Sequence, residues 1–218
     1  MVFELDNDLT FPNPNSADES GLLAIGGDLK TKRLIEAYKN GIFPWPHKDY
    51  PLLWFSPPKR ALLFPNSLKI SNSLKKSIKK YEVRFDTDFG NVIRSCANAK
   101  RKENGTWIDE DIINAYINLF KIGVAHSVET YFEDNLVGGL YGISVGNIFC
   151  GESMFSNKND ASKVALHALC ELYKKVDGII DAQIQNRHLK SLGVIEISRD
   201  KYLEILNNAK FKQDPFLL

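Results

Sequence analysis

Only three cysteines occur in this 218-residue chain, Cys96, Cys150 and Cys170. Their odd number and wide spacing exclude a disulfide framework and a zinc pattern. A reducing cytoplasm is the expected compartment. No apolar run approaches the roughly 20 residues that cross a bilayer, so no membrane association is expected. The opening M-V-F-E-L-D-N-D-L-T has no basic region followed by an apolar one, which excludes a signal-peptide reading. Low-complexity linkers and internal repeats are missing. The pair Gly26-Gly27 is a turn rather than a dinucleotide fingerprint, because G-x-G-x-x-G is absent.

Hydrophobic residues make up 44% of the chain, enough for a real core. The length suits one large domain, or a large one with a small partner. Net charge is +1 but unevenly spread. From Lys59 to Lys102 there are twelve Lys and Arg against three Asp and Glu, a local net of +9 that leaves −8 elsewhere. Such asymmetry points to an anionic partner, most often nucleic acid. In S-N-S-L-K-K-S-I-K-K-Y, a helix starting near Ser71 places Leu74, Ile78 and Tyr81 on one stripe. Lys75, Lys76, Lys79 and Lys80 then face outward with no interleaved acid, whereas an ordinary surface helix mixes both signs.

The part through about Pro58 is rich in turn formers and aromatics. It holds a helix from about Thr31 to Asn40, with Leu34, Ile35 and Tyr38 inward and Gly41 as its stop. A strand at Ala61 to Phe64 follows, then the basic helix and another near Phe89 to Asn98. Asp109 caps a helix carrying Ile112, Ile113, Tyr116, Leu119 and Phe120, stopped at Gly123. A meander comes next, with strands at Ala125 to Phe132, Leu136 to Ser144 and Ile148 to Glu152. Asn159 or Asp160 starts a helix with Ala161, Ala165, Leu169 and Leu172 on one face. A short buried strand spans Ile179 to Gln183, Gly193 ends a helical turn, and Ser198 caps a last helix through Asn207. This order is an α+β plan with a mixed sheet, and it resembles the acetyltransferase-like acyltransferase fold.

Two apolar runs lead into acids and amides: Ile148 to Cys150 before Glu152, and Ile179 to Ile180 before Asp181 and Gln183. Such groups in apolar surroundings are costly unless paired or working. Local pattern leaves two readings open, catalysis and the hydrogen-bonded support of loops.

Eight blocks occur in order: G-L-L-A-I-G-G-D-L, A-Y-x-x-G-I-F-P-W, W-F-S-P, G-T-W-I, A-H-S-V-E, F-C-G-E-S-M-F-S, A-S-K-x-A-L and I-D-A-Q-I-Q-N-x-H-L-x-S-L-G. Together, from about Phe11 to Leu206, they resemble the leucyl/phenylalanyl-tRNA–protein transferase family. The resemblance implies a small N-terminal α/β domain over 1–58 and an acetyltransferase-like (GNAT-like) mixed-sheet domain over 59–218. It implies transfer of leucine or phenylalanine, with methionine a third candidate, from aminoacyl-tRNA to proteins that begin with Arg or Lys, marking them for N-end-rule degradation. A cytoplasmic monomer with no metal or coenzyme is expected.

Residue by residue, the resemblance implies that Glu152, Asp181 and Gln183 form the reaction centre, the last two acting on the attacking amine. Trp107 and Trp45 are expected near the terminal adenosine, where an indole face suits a splayed base. Trp54 is read as core. The amino-acid pocket is expected to have Phe149, Met154, Leu166, Leu169, Tyr173 and Ile180 as walls, with Met154 suiting a pocket that takes two side-chain shapes. Leu140 stands where some members of the family carry Met, and Tyr173 where Phe is common.

Three rivals remain at this point. An acyl-CoA acetyltransferase would want a glycine-rich pyrophosphate loop where the chain reads S-M-F-S-N-K-N-D-A-S-K. A non-enzymatic RNA-binding protein explains the lysines and tryptophans but not the buried acids. A Cys150–His188–Asp181 hydrolase needs a reactive thiol inside an apolar run, where a structural one is the commoner case. His126 and His167 are read as packing or hydrogen-bonding residues.

Overall fold

A computed structural model describes residues 2–47, 50–99 and 106–217. Lys100, Arg101 and Lys102 of the basic segment, and Gly105 of the G-T-W-I block, lie outside them. Along the chain run β1 (Phe3–Leu5), β2 (Leu22–Gly26), α1 (Thr31–Lys39), β3 (Phe43–Trp45), β4 (Leu53–Phe55), β5 (Lys59–Leu63), α2 (Asn72–Ile78) and β6 (Glu82–Phe85). Then come α3 (Phe89–Ala97), α4 (Glu110–Lys121), β7 (Ala125–Phe132), β8 (Asn135–Val145), β9 (Ile148–Ser156) and α5 (Ala161–Lys174). The remaining elements are β10 (Ile179–Asp181), α6 (Arg187–Leu192), β11 (Ile195–Ser198) and α7 (Arg199–Ala209).

The strands form two sheets. A small N-terminal one has the order β1-β2-β4-β3, and a seven-stranded one has the order β11-β5-β10-β9-β8-β7-β6. The large sheet is mixed, as expected: β9 and β10 are parallel, while β6-β7-β8-β9 and the β5 pairings are antiparallel. Side-chain caps start α2, α4, α6 and α7, with Asp109 accepting from the Ile112 amide at 2.9 Å and Ser198 from that of Lys201 at 3.4 Å, whereas Asp160 precedes α5 without one. Glu133 and Asp134, both with positive φ, make the two-residue turn between β7 and β8. Trp54 is fully buried and donates to the Gly26 carbonyl at 2.9 Å, as a core indole should.

Two boundaries differ from expectation in ways that matter. β9 does not end at Glu152 but runs on to Ser156. The register pairs Tyr141 with Ser153 and Gly142 with Gly151, so Glu152 is the extra residue of a bulge. A bulge kinks the strand and re-aims its side chain, and the glycine before it was the available sign. β10 ends at Asp181, and Gln183 turns out of the strand with φ +53°. The four small-sheet strands, β6 and β11 went unread, being three to five residues long or lying in turn-rich sequence.

Candidate active site

β9 and β10 run in parallel with Cys150 beside Asp181, so the Glu152 bulge and the end of β10 open at the same place. Helices α1 and α4 bring two tyrosines to it. Tyr38 Oη donates to Glu152 Oε1 at 2.7 Å, Tyr116 Oη to Oε2 at 3.0 Å, and Gln183 Nε2 to Oε1 at 3.2 Å. The tyrosine hydroxyls also touch each other at 2.5 Å. Burial pushes the Glu152 carboxyl up to about 7, although the tyrosine hydrogen bonds pull the other way.

Asp181 is fully buried and held on both oxygens. Oδ1 accepts from Arg60 Nε at 2.8 Å and the Gln183 amide at 2.9 Å; Oδ2 accepts from Arg60 Nη2 at 2.7 Å and Tyr202 Oη at 2.8 Å. Arg60 also donates to the Gly41 carbonyl at 3.0 Å, and its guanidinium lies over the rings of Phe43 and Tyr202. Burial works against the charge on Arg60, but Asp181 outweighs it and raises its pKa. Arg60, Tyr38, Tyr116 and Tyr202 were missed as site residues. The signal for them is chemical: a buried phenol or guanidinium must find a partner, which apolar spacing alone does not show.

Beside the carboxylates opens a cleft of about 320 Å³. Phe149, Met154, Leu166, Leu169 and Ile180 line its apolar part, with Leu63, Leu140 and Val194. Glu152, Asp181 and Gln183 supply its polar end, and Trp107 borders it. Tyr173 does not line the cleft. It is fully buried behind Phe149, ring centroids 5.8 Å apart, and its hydroxyl meets Ser144 Oγ at 2.8 Å. The added oxygen draws this ring to a polar partner away from the cleft. Trp45, 41% exposed, packs on Phe43 and Phe55 and is not part of the lining.

Lys75, Lys76, Lys79 and Lys80 are exposed, while Leu74 and Tyr81 are buried beneath them. α2 ends at Ile78, so Lys79 and Lys80 lie in the turn that follows. His188 borders both the cleft and a groove with Ser73, Lys158 and Lys163 that leads toward α2. Burial above all, with Asp181 next, pushes the Cys150 thiol far up, and His188 is an exposed residue of α6. Cys150 is a core residue, not a nucleophile. Among the described residues, no group of three or more His, Cys, Asp and Glu could hold a metal ion. None of their helices is long and apolar enough to cross a membrane.

The sequence matches the family profile "Leucyl/phenylalanyl-tRNA protein transferase" over residues 62–207, and that of the family's N-terminal domain over 27–58. It is 53% identical over 208 residues to the leucyl/phenylalanyl-tRNA–protein transferase of Sulfurimonas denitrificans, covering 94% of this chain and 91% of that one. The transferase of Thermodesulfovibrio yellowstonii is 54% identical over 216 residues, with 97% and 88% covered. Among solved structures, a ribosomal-protein-alanine N-acetyltransferase from Brucella melitensis aligns over 44% of this chain and 72% of its own, at 13% identity and a TM-score of 0.32.

Proposed function

Because this chain belongs to the leucyl/phenylalanyl-tRNA–protein transferase family, we propose that it transfers leucine or phenylalanine from aminoacyl-tRNA to the N-terminal amine of proteins that begin with Arg or Lys. The carrying observation is an apolar cleft that ends on Glu152 and Gln183. The ester of an aminoacyl-tRNA is already activated, so no further energy source is required. The neutral amine attacks the ester carbonyl, the C–N bond forms, the C–O bond to the ribose breaks, and the amine proton ends on the departing 3′-oxygen. Holding the two reactants together supplies much of the rate.

The hydrogen bonds support distinct roles. Asp181, saturated by Arg60, Tyr202 and Gln183, is a positioning residue for Gln183. Gln183, with its NH2 on Glu152, turns its carbonyl oxygen toward the amine. Glu152 attracts the cationic acceptor. Trp107 and Trp45 take the terminal adenosine, and Lys75, Lys76, Lys79 and Lys80 take tRNA phosphates. On the same reading the domain boundary lies between residues 58 and 59, supported by the change there from small-sheet strands to β5. The same reading makes the protein a cytoplasmic monomer, accepts methionine as a third donor residue, and gives its products to N-end-rule degradation.

The test is transfer of labelled leucine and phenylalanine from charged tRNA to a peptide beginning with Arg, beside an acetyl-CoA control. Label on the Arg peptide and none from acetyl-CoA is the expected result. Acetylation without aminoacyl transfer overturns the proposal.

A further inference from the structure

A segment that the cleft does not touch, with Pro215 buried and Asp214 and Phe216 half-buried, stands behind its floor. After α7 the chain crosses the β8–β9 turn at Gly146, where a Cβ would lie 1.9 Å from the Ala209 carbonyl oxygen. Only a glycine, here at φ +57°, permits that approach. The chain then reaches Asp214 and the short 3-10 turn Pro215–Leu217. Asp214 Oδ2 lies 3.5 Å from His126 Nε2 on β7, and His126 Nδ1 meets Asp86 Oδ2 at 2.7 Å. Asp214 Oδ1 also accepts from the Phe216 amide at 3.0 Å. So anchored, the Phe216 ring stacks flat on the His126 imidazole, centroids 4.1 Å apart and planes 10° apart.

The opposite neighbours of Phe216 belong to the cleft wall. Its ring centroid is 5.9 Å from that of Phe149, near-parallel at 29°, and 6.2 Å from that of Tyr173. Phe149 lines the cleft. On its remaining side stands Gly142, where a Cβ would come within 2.6 Å of the Phe149 ring. Phe149 is therefore boxed by Gly142, Tyr173 and Phe216. Of the three, only Phe216 comes from a segment tied down by a few polar contacts.

We infer that Phe216 is a specificity-determining residue: it is the backstop that fixes how deep Phe149 sits, and so whether the cleft favours leucine or the longer phenylalanine side chain. The inference rests on the reading of the cleft as the amino-acid pocket. With the backstop removed, Phe149 can retreat into the vacated space and the cleft deepens. Apolar pockets discriminate by about tenfold or more per methylene-sized change.

Wild type, Phe216→Ala, Phe216→Leu and Asp214→Asn are compared for kcat/KM with leucyl- and phenylalanyl-tRNA, with folding checked by circular dichroism. In Phe216→Ala the Phe:Leu ratio should rise by about tenfold, with the KM for tRNA unchanged. Phe216→Leu and Asp214→Asn should shift it less, in the same direction. A merely structural Phe216 would lower both rates together and leave the ratio alone, and that result overturns the inference. If Phe216→Ala does not fold, Phe216→Leu, which keeps an apolar side chain, decides by the same ratio. Wild type that transfers neither residue would instead sink the proposed function, whereas wild type that transfers both beside an unmoved ratio sinks only the backstop.

Discussion

Glu152 and Asp181 carry the same charge type but sit in opposite environments. Glu152 is surrounded by neutral donors, so burial dominates and its carboxyl rises to about 7. Asp181 faces a guanidinium in bidentate contact. This makes Asp181→Asn far from conservative, though its size is unchanged. It leaves Arg60, 1% exposed, as a buried cation without its counter-charge, and breaking such a pair typically costs about 3–5 kcal/mol. Urea unfolding of Asp181→Asn should therefore show a large loss of stability along with the loss of transfer. A fully stable but inactive variant would instead make Asp181 a participant in proton transfer. Glu152→Gln keeps the size and one acceptor oxygen for the tyrosines, with no charge to lose. Transfer by wild type at saturating tRNA should rise with pH through about 7 as Glu152 ionises, and the Gln variant should lack that inflection. An identical pH profile in both would remove Glu152 from acceptor recognition.

At the scale of elements, the sequence was most readable where periodicity was long. α4, α5, α7 and the β7–β8 hairpin lie within a few residues of the positions inferred from apolar spacing and caps. Glu152 and Asp181 were legible because acids after apolar runs are anomalous. The bulge that aims Glu152 was legible only in Gly151 before it, because a glycine within a strand is as often a plain bend as a bulge. The Arg60 pair was not legible, since its partners lie 121 residues apart. Buried Glu129 is another case: it receives the hydroxyls of Ser127 and Thr87 and approaches the first amides before α3, a cap supplied from β7 that local sequence could not reveal. The basic α2 segment, by contrast, matches its sequence reading in showing four lysines to solvent. If these contact one phosphate each, replacing all four with Ala should weaken aminoacyl-tRNA binding and flatten the log K against log salt slope by about 3, while a short aminoacyl-adenosine analogue is used almost normally. An unchanged slope would move the tRNA to another face.

Across the whole molecule, the site is a seam. Tyr38 and the Gly41 carbonyl come from the N-terminal part, Glu152 and Asp181 from the large sheet, and Tyr202 from α7. One hydrophobic cluster runs from Leu23 and Trp54 through Tyr116 and Ile148 to Tyr202, so folding and site assembly are coupled. Two buried titrations should then appear in global stability. Glu152 ionises near 7 in the fold against an ordinary value near 4.5, so the native chain holds the extra proton. Its contribution is full below about 4.5 and is lost as pH rises through 7. For His126, burial opposes the charge, but the carboxylates of Asp214, 3.5 Å away, and Asp86, hydrogen-bonded at 2.7 Å, prevail and lift it from 6.5 to about 9. That contribution is full below 6.5 and is lost as pH rises through about 9. The two windows barely overlap, so single substitutions separate them. Glu152→Gln should remove the fall in unfolding free energy between pH 4.5 and 7 and leave the upper fall in place. Asp214→Asn should do the reverse, destabilising by about 1–2 kcal/mol at pH 6 and by progressively less toward pH 9. A pH-independent gap between wild type and Asp214→Asn would mean that His126 is neutral in the fold and that packing of Phe216, not charge, holds the segment in place.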